Sequence, residues 1–151
     1  MTKPQDAIAL LTADHEEARV LFKQYDELGD RAYVTKKKLA TDVCKALTVH
    51  AQIEEEIFYP ALRSQGKAFQ DLLDEAAVEH GGAKQLIAQI EAMEPQDDLY
   101  DAKVKVLGEQ IDHHATEEED EMFPKTRKTA LDLVALGAAL LARKEELMAA
   151  A

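Results

Sequence analysis

Two phrases of the sequence carry residue types that bind metals. "VHAQIEEEIFYP" covers residues 49–60 and "HHATEEEDEMFP" covers residues 113–124. Each places a histidine four residues before a glutamate: His50 before Glu54, and His114 before Glu118. On a helix, positions i and i+4 lie one turn apart on one face. Each phrase therefore offers an imidazole and a carboxylate to the same side, and the two carboxylate oxygens can bridge a pair of ions. One HxxxE in an acidic chain carries little weight, because glutamate is common. Two copies, each on a core seam, carry more. Two single histidines join them: His15 in "ADHEEA" and His80 in "VEHGGA".

The elements that must position these six residues are helices. Apolar residues recur at spacings of three and four, strand-like alternation is hard to find, and prolines and glycines fall mainly between the periodic segments. The pattern predicts a first helix from about Pro4 to Leu28, with Pro4 near its first turn. A second runs from about Val34 to Arg63, with a kink at Pro60, and a third from about Ala68 to Met93. A fourth runs from about Leu99 to Met122, its end disturbed by Pro124. A short fifth helix covers about Ala130 to Met148, and its Ala- and Leu-rich face suits either a cap on the bundle or a dimer contact. Four long helices with short connections predict an all-α fold. The expected architecture is an antiparallel up-and-down four-helix bundle over about residues 4–124, with a short additional C-terminal helix over about residues 130–148. One domain of 151 residues accommodates both.

The core stripes place the six polar residues among apolar ones. The first stripe reads Ile8, Leu11, His15, Ala18, Phe22, and the second Val43, Leu47, His50, Glu54, Ile57. The third reads Phe69, Leu73, Ala76, His80, Ala83, Ile87, Ile90, and the fourth Val104, Leu107, Ile111, His114, Glu118, Met122. A buried ionisable group is costly unless paired or bound to a metal. From each polar position to the nearest helix end the run is about 11 to 16 residues, and at about 1.5 Å per residue antiparallel neighbours match to within about one turn. All six side chains are thus expected in one layer near mid-bundle.

Four imidazoles and two carboxylates in one buried layer make a metal site. Six ligands exceed the four that zinc favours, and no thiolate is present. Mixed imidazole and carboxylate ligation suits iron or manganese. Two histidines per ion, two bridging glutamates and a bridging oxygen supply five ligands each, which leaves a position for a small molecule.

Charge and composition narrow the partners. The chain has 30 acidic and 18 basic residues, a net charge of -12. Nucleic acid and anionic membrane both demand a basic patch, so neither is an expected partner. Cys44 is the sole cysteine, which rules out an intramolecular disulfide and fits a reducing cytosol. The opening "MTKPQDAIALL" lacks a basic region followed by a long apolar run, so it does not read as a signal peptide. These features predict a soluble cytoplasmic protein, monomeric or homodimeric.

As an ordered set, the residues resemble the hemerythrin-like family, also called the HHE cation-binding domain. Its pattern is His, HxxxE, His, HxxxE, one element per helix. Here it reads His15, "HAQIE" at 50–54, His80, and "HATEE" with ligands at His114 and Glu118. The resemblance spans about residues 7–124. It implies a non-haem centre of two iron ions, oxo- or hydroxo-bridged, with O2 or a related diatomic or peroxide as ligand. The implied role is sensing, storage or detoxification, with a di-iron enzyme acting on peroxide, nitric oxide or O2 as the alternative. The chain departs from the oxygen-carrying hemerythrins, which place two histidines four apart on the third helix. Here the positions four from His80 are Ala76 and Lys84. Those proteins also close the fourth-helix motif with Asp at i+5, where this chain has Glu at i+4. One iron therefore lacks a histidine and is the more open. The helices carry no ExxH, the mark of ferritin-like di-iron proteins.

Neighbouring residues receive plainer readings. Glu55, Glu56, Glu117, Glu119, Asp120 and Glu121 are expected to form solvated helix faces, with a cation-attracting rim or entry path as the alternative; Glu79 is expected to be exposed, with a supporting hydrogen bond at the site as its alternative. Gly81-Gly82 suggests a close helix approach, a distorted turn, or a later helix start. Phe22, Phe58, Phe69 and Phe123 are expected in the core, Tyr25 and Tyr59 in ordinary packing with a hydrogen bond to the site or unusual ligation as the alternative, and Cys44 as a semi-buried structural thiol. His113 points about 100° around the helix from His114 and is expected to flank the site without binding.

Overall fold

The computed structural model describes residues 6–150. The expected helix start at Pro4 lies outside them. Helix α1 spans Ala7–Asp26, and its first turn is capped by the Asp6 side chain, which accepts from the Ala9 N–H at 2.8 Å. Helix α2 spans Tyr33–Ile53 and runs without a break into a π-helical turn at Glu54–Phe58, then α3 at Tyr59–Arg63. After a 3-10 turn at Lys67–Phe69 comes α4, Gln70–Glu91. Helix α5, Tyr100–Glu117, leads into a second π-helical turn at Glu118–Met122, and α6 covers Phe123–Arg127. Helix α7 spans Leu133–Ala149. Among the described residues there is no strand, and no helix is long and apolar enough to cross a membrane.

Both prolines behave differently from the expectation. Pro60 does not kink the second helix at its own position; the irregular turn precedes it at Glu54–Phe58. Pro124 does not end the fourth; the chain stays helical to Arg127. A proline cannot donate to the carbonyl four residues back, and its ring crowds that carbonyl. Both turns meet this constraint by closing over five residues. The Tyr59 N–H reaches the Glu54 carbonyl, and the Phe123 N–H reaches the Glu118 carbonyl.

Two apolar clusters flank the polar layer. One gathers Leu11, Ile53, Phe58, Leu73 and Phe123; the other gathers Ala18, Leu47, Ala83, Ile87 and Leu107. Fully burying such aliphatic and aromatic side chains contributes about 1.5–3 kcal/mol each. Along α1 the chain passes from the first cluster through His15 to the second, along α2 it returns, and α4 and α5 repeat the pair of passages. Phe22, Ile57 and Ile111 are half-buried at the margins of their stripes.

Helix α7 lies on the bundle against α1 and α2, with Leu140 fully buried. Arg143 pairs with Glu56 at 2.8 Å and Lys144 with Asp14 at 2.6 Å. Gly81 and Gly82 sit inside a continuous α4, so the helix neither starts later nor distorts there. A Cβ at Gly81 would meet nothing within 4 Å, which removes close helix approach as its reason.

Candidate metal centre

The four helical segments bring all six predicted residues into one buried layer. His15 Nε2 lies 3.1 Å from Glu118 Oε1, and His50 Nε2 lies 3.3 Å from Glu54 Oε1. His80 Nε2 is 3.3 Å from Glu54 Oε1 and 3.2 Å from His114 Nε2, which is 3.6 Å from Glu118 Oε1. Two sets of three ligand atoms form within this layer: His15, His50 and Glu118, and Glu54, His80 and His114. Glu54 is wholly buried and Glu118 is 1% exposed.

Each histidine is held from behind by a carboxylate. Nδ1 of His15 faces Glu119 at 2.8 Å, and that of His50 faces Asp14 at 2.8 Å. Nδ1 of His80 faces Glu55 at 2.7 Å, and that of His114 faces Glu79 at 2.6 Å. An ionised carboxylate can only accept, so each Nδ1 carries the proton and donates. For a neutral ring, Nε2 is then left with its lone pair, directed at the centre of the layer. Such carboxylate–histidine pairs fix the tautomer and ring orientation of metal-binding histidines. Three of the four carboxylates are themselves held by a cation: Glu119 by Arg19 at 3.1 Å, Asp14 by Lys144, and Glu55 by Lys84 at 2.7 Å.

The plainer readings of several neighbours are corrected here. Glu55 and Glu119 do not simply face water, Glu56 is tied to α7, and Glu79 is a partner of His114 rather than an exposed bystander. Asp14, next to His15 in "ADHEEA", joins these carboxylates from a position that the apolar stripes do not mark. Asp120 and Glu121 are exposed, as expected. Cys44 is only 1% exposed, more buried than expected. Tyr25 bonds Asp101 and stays away from the layer.

Tyr59 enters the site instead of packing only against apolar neighbours. Its hydroxyl donates to Glu118 Oε2 at 2.6 Å and lies 3.3 and 3.4 Å from Nε2 of His80 and His114. The π turn carries it there, and Tyr59 takes the alternative open to it, a hydrogen-bond donor at the site. Five residues of regular α-helix would aim Tyr59 about 140° away from Glu54. The five-residue turn stacks it above Glu54 instead. The same shift sets Phe123 above Glu118, where its ring stacks on His15 at 5.9 Å with 4° between planes.

The layer demands positive charge. His50 Nε2 and both oxygens of Glu54 are buried without any hydrogen-bond partner. Leaving such groups unpaired is costly. Burial disfavours the charged form of His50, yet the facing charge of Glu54 and the bond to Asp14 raise its pKa well above the usual value. Burial and the neighbouring Glu54 charge both raise the Glu118 carboxyl above its ordinary range. For Glu54 burial acts the same way, but the facing charge of His50 overrides it and holds the carboxyl well below that range. A cation among these atoms would satisfy them together, so the donor set fits a metal. His113 lies outside the layer and is 70% exposed.

Comparison with known proteins agrees with this picture. A family model described as the hemerythrin HHE cation binding domain matches residues 6–126. Over 126 residues, 82% of the chain, the sequence is 30% identical to a DNA nickase of Nostoc sp., of whose length the match covers 33%. The crystal structure of a hemerythrin HHE cation binding domain-containing protein from Mycobacterium kansasii superposes with a TM-score of 0.80. That match covers 97% of this chain and 89% of the other at 22% identity, which shows a shared fold.

Proposed function

The chain belongs to the hemerythrin HHE cation-binding family, and on that premise we propose that it is a non-haem di-iron protein binding O2 or a related small molecule. The single observation that carries this reading is the buried trio of orphaned atoms, His50 Nε2 and the two oxygens of Glu54, set beside Nε2 of the other three histidines and the oxygens of Glu118 and Tyr59. His15, His50, Glu54, His80, His114 and Glu118 would hold the ions. The alternating passages between the two apolar clusters support an antiparallel up-and-down bundle of the four long segments, closed by α7. Two iron ions held there would supply redox chemistry toward the small molecule. The chain's own part is to hold the Nδ1 proton of each histidine in a hydrogen bond to Asp14, Glu55, Glu79 or Glu119, so that Nε2 is the ring atom facing the centre of the layer. The third-helix positions four from His80 hold Ala76 and Lys84, and each set of three candidate ligand atoms has two imidazoles and one carboxylate.

Metal analysis of protein expressed with adequate iron, joined to the absorption spectrum of the reduced protein before and after air, tests this reading. About two irons per chain are expected, kept in His113→Ala and lost in His114→Ala. Far less than two irons per chain, unaltered by His50→Ala or Glu54→Ala, would refute it.

The Tyr59 hydroxyl favours a second reading, a di-iron enzyme turning over peroxide or nitric oxide. It holds a proton 2.6 Å from Glu118, where a general acid would stand. Steady peroxide turnover that falls in Tyr59→Phe at unchanged iron content would establish it; a stable oxygenated spectrum without turnover would exclude it. Nicking of DNA is not part of either reading. The matched portion is 33% of that relative, and a net charge of -12 repels a phosphate backbone.

A further inference from the structure

A cavity of about 300 Å³ lies beside the histidine layer, bordered by the rings of His15, His50, His80 and His114. The rest of its wall is mostly aliphatic and small: Ala18, Ala46, Leu47, Ala83, Ile87 and Ile111. That volume is about twenty-fold the space one water requires, and about twice a 150 Å³ cavity that accepts benzene. It also reaches the lower end of the range seen for small-molecule sites. A diatomic gas would leave most of it empty.

Most of the charges on its lining are already matched. Lys144 pairs with Asp14 at 2.6 Å, Lys84 with Glu55 at 2.7 Å, and His113 lies 3.6 Å from Glu79 and 3.4 Å from Glu117. The Thr48 hydroxyl donates to the Cys44 carbonyl at 2.8 Å. Among the charged side chains of the lining only Glu17 lacks an ion-pair partner among the described residues, and it is exposed to solvent. A wall of alanines, leucine and isoleucines favours apolar contents.

We propose that this cavity binds a neutral, apolar organic molecule of about the size of a bicyclic aromatic hydrocarbon, seated against the four histidines. The cavity does not depend on metal. That its occupant lies next to an iron pair does rest on the reading above.

Naphthalene is a suitable probe, titrated into the full-length protein while the methyl signals of Ile87 and Ile111 are followed by NMR. One site per chain is expected, with Kd below about 1 mM and shifts confined to the cavity wall. Ala83→Phe fills the space from α4 and is expected to weaken binding at least tenfold with iron content unchanged. Where circular dichroism shows that Ala83→Phe does not fold, Ala46→Phe on α2 replaces it with the same expectation. Benzene is expected to bind more weakly than naphthalene, because it leaves about half the volume unfilled. Absence of shifts at Ile87 and Ile111, or equal naphthalene affinity in the filled variant, would overturn the proposal. Iron content measured on the same samples separates the two readings. Two irons without naphthalene binding refutes the cavity alone, and naphthalene binding without iron refutes the centre alone.

Discussion

Removing the carboxylate behind His50 is expected to loosen the metal centre more than removing any of its three counterparts. Asp14 is 10% exposed and accepts from His50 Nδ1 at 2.8 Å and from Lys144 at 2.6 Å. Loss of such a partner typically lowers metal affinity by about 10–100-fold, or roughly 1.4–2.7 kcal/mol. Burial decides where in that range each residue falls, because water can replace an exposed partner and not a buried one. Glu119 and Glu79 are 25% and 28% exposed, and Glu55 is 37% exposed. Asp14→Ala should therefore approach a 100-fold loss of iron affinity, and Glu55→Ala only about tenfold. Asp14→Asn keeps an oxygen that accepts from Nδ1 but loses the charge. A neutral bond is roughly half as strong, so Asn should recover about half of the loss on a logarithmic scale. Competition against a chelator of known affinity measures each variant, with circular dichroism confirming the helical fold. Asp14→Ala within threefold of the parent, or Asn no better than Ala, would refute the reasoning.

Three further outcomes are expected. Gly81→Ala should stabilise the protein by about 1 kcal/mol, since the added methyl meets nothing within 4 Å and helix propensity improves; a melting temperature raised by about 2–4 °C checks it. Cys44 should not react with a thiol reagent at pH 8 until the protein unfolds, because burial, with Glu91 nearby, pushes its pKa up to about 12; rapid labelling of the native protein would contradict this. Partial burial acts to raise the Asp101 carboxyl, but bonds from Tyr25 and Lys36 hold it below its ordinary 3.8. A depressed folded pKa contributes stability above the unfolded value that is lost as pH falls through the folded one. Asp101→Asn should therefore flatten the loss of stability below pH 3.8, and an unchanged acid melting curve would count against it.

The amino-acid order alone was enough for the helices and for the six residues of the layer. Apolar spacing of three and four reveals a helix face, and a histidine or glutamate on that face stands out because burying it unpaired is unfavourable. His113 was separable from His114 for the same reason, since one residue is about 100° of rotation. Contacts between helices left no such trace. Asp14, Glu55, Glu79 and Glu119 lie one position from a residue of the layer, on what periodicity alone marks as a solvated flank. Only the approach of a neighbouring helix turns that flank into a partner for His50, His80, His114 or His15. Tyr59 was legible as a candidate donor, but its aim was not. Each proline stands six residues after a layer glutamate, Pro60 after Glu54 and Pro124 after Glu118. The π turns formed there break the 3.6-residue period on which the stripe was drawn. A change of helical pitch re-aims every side chain beyond it, which is why Tyr59 and Phe123 reached the site only once the chain was folded.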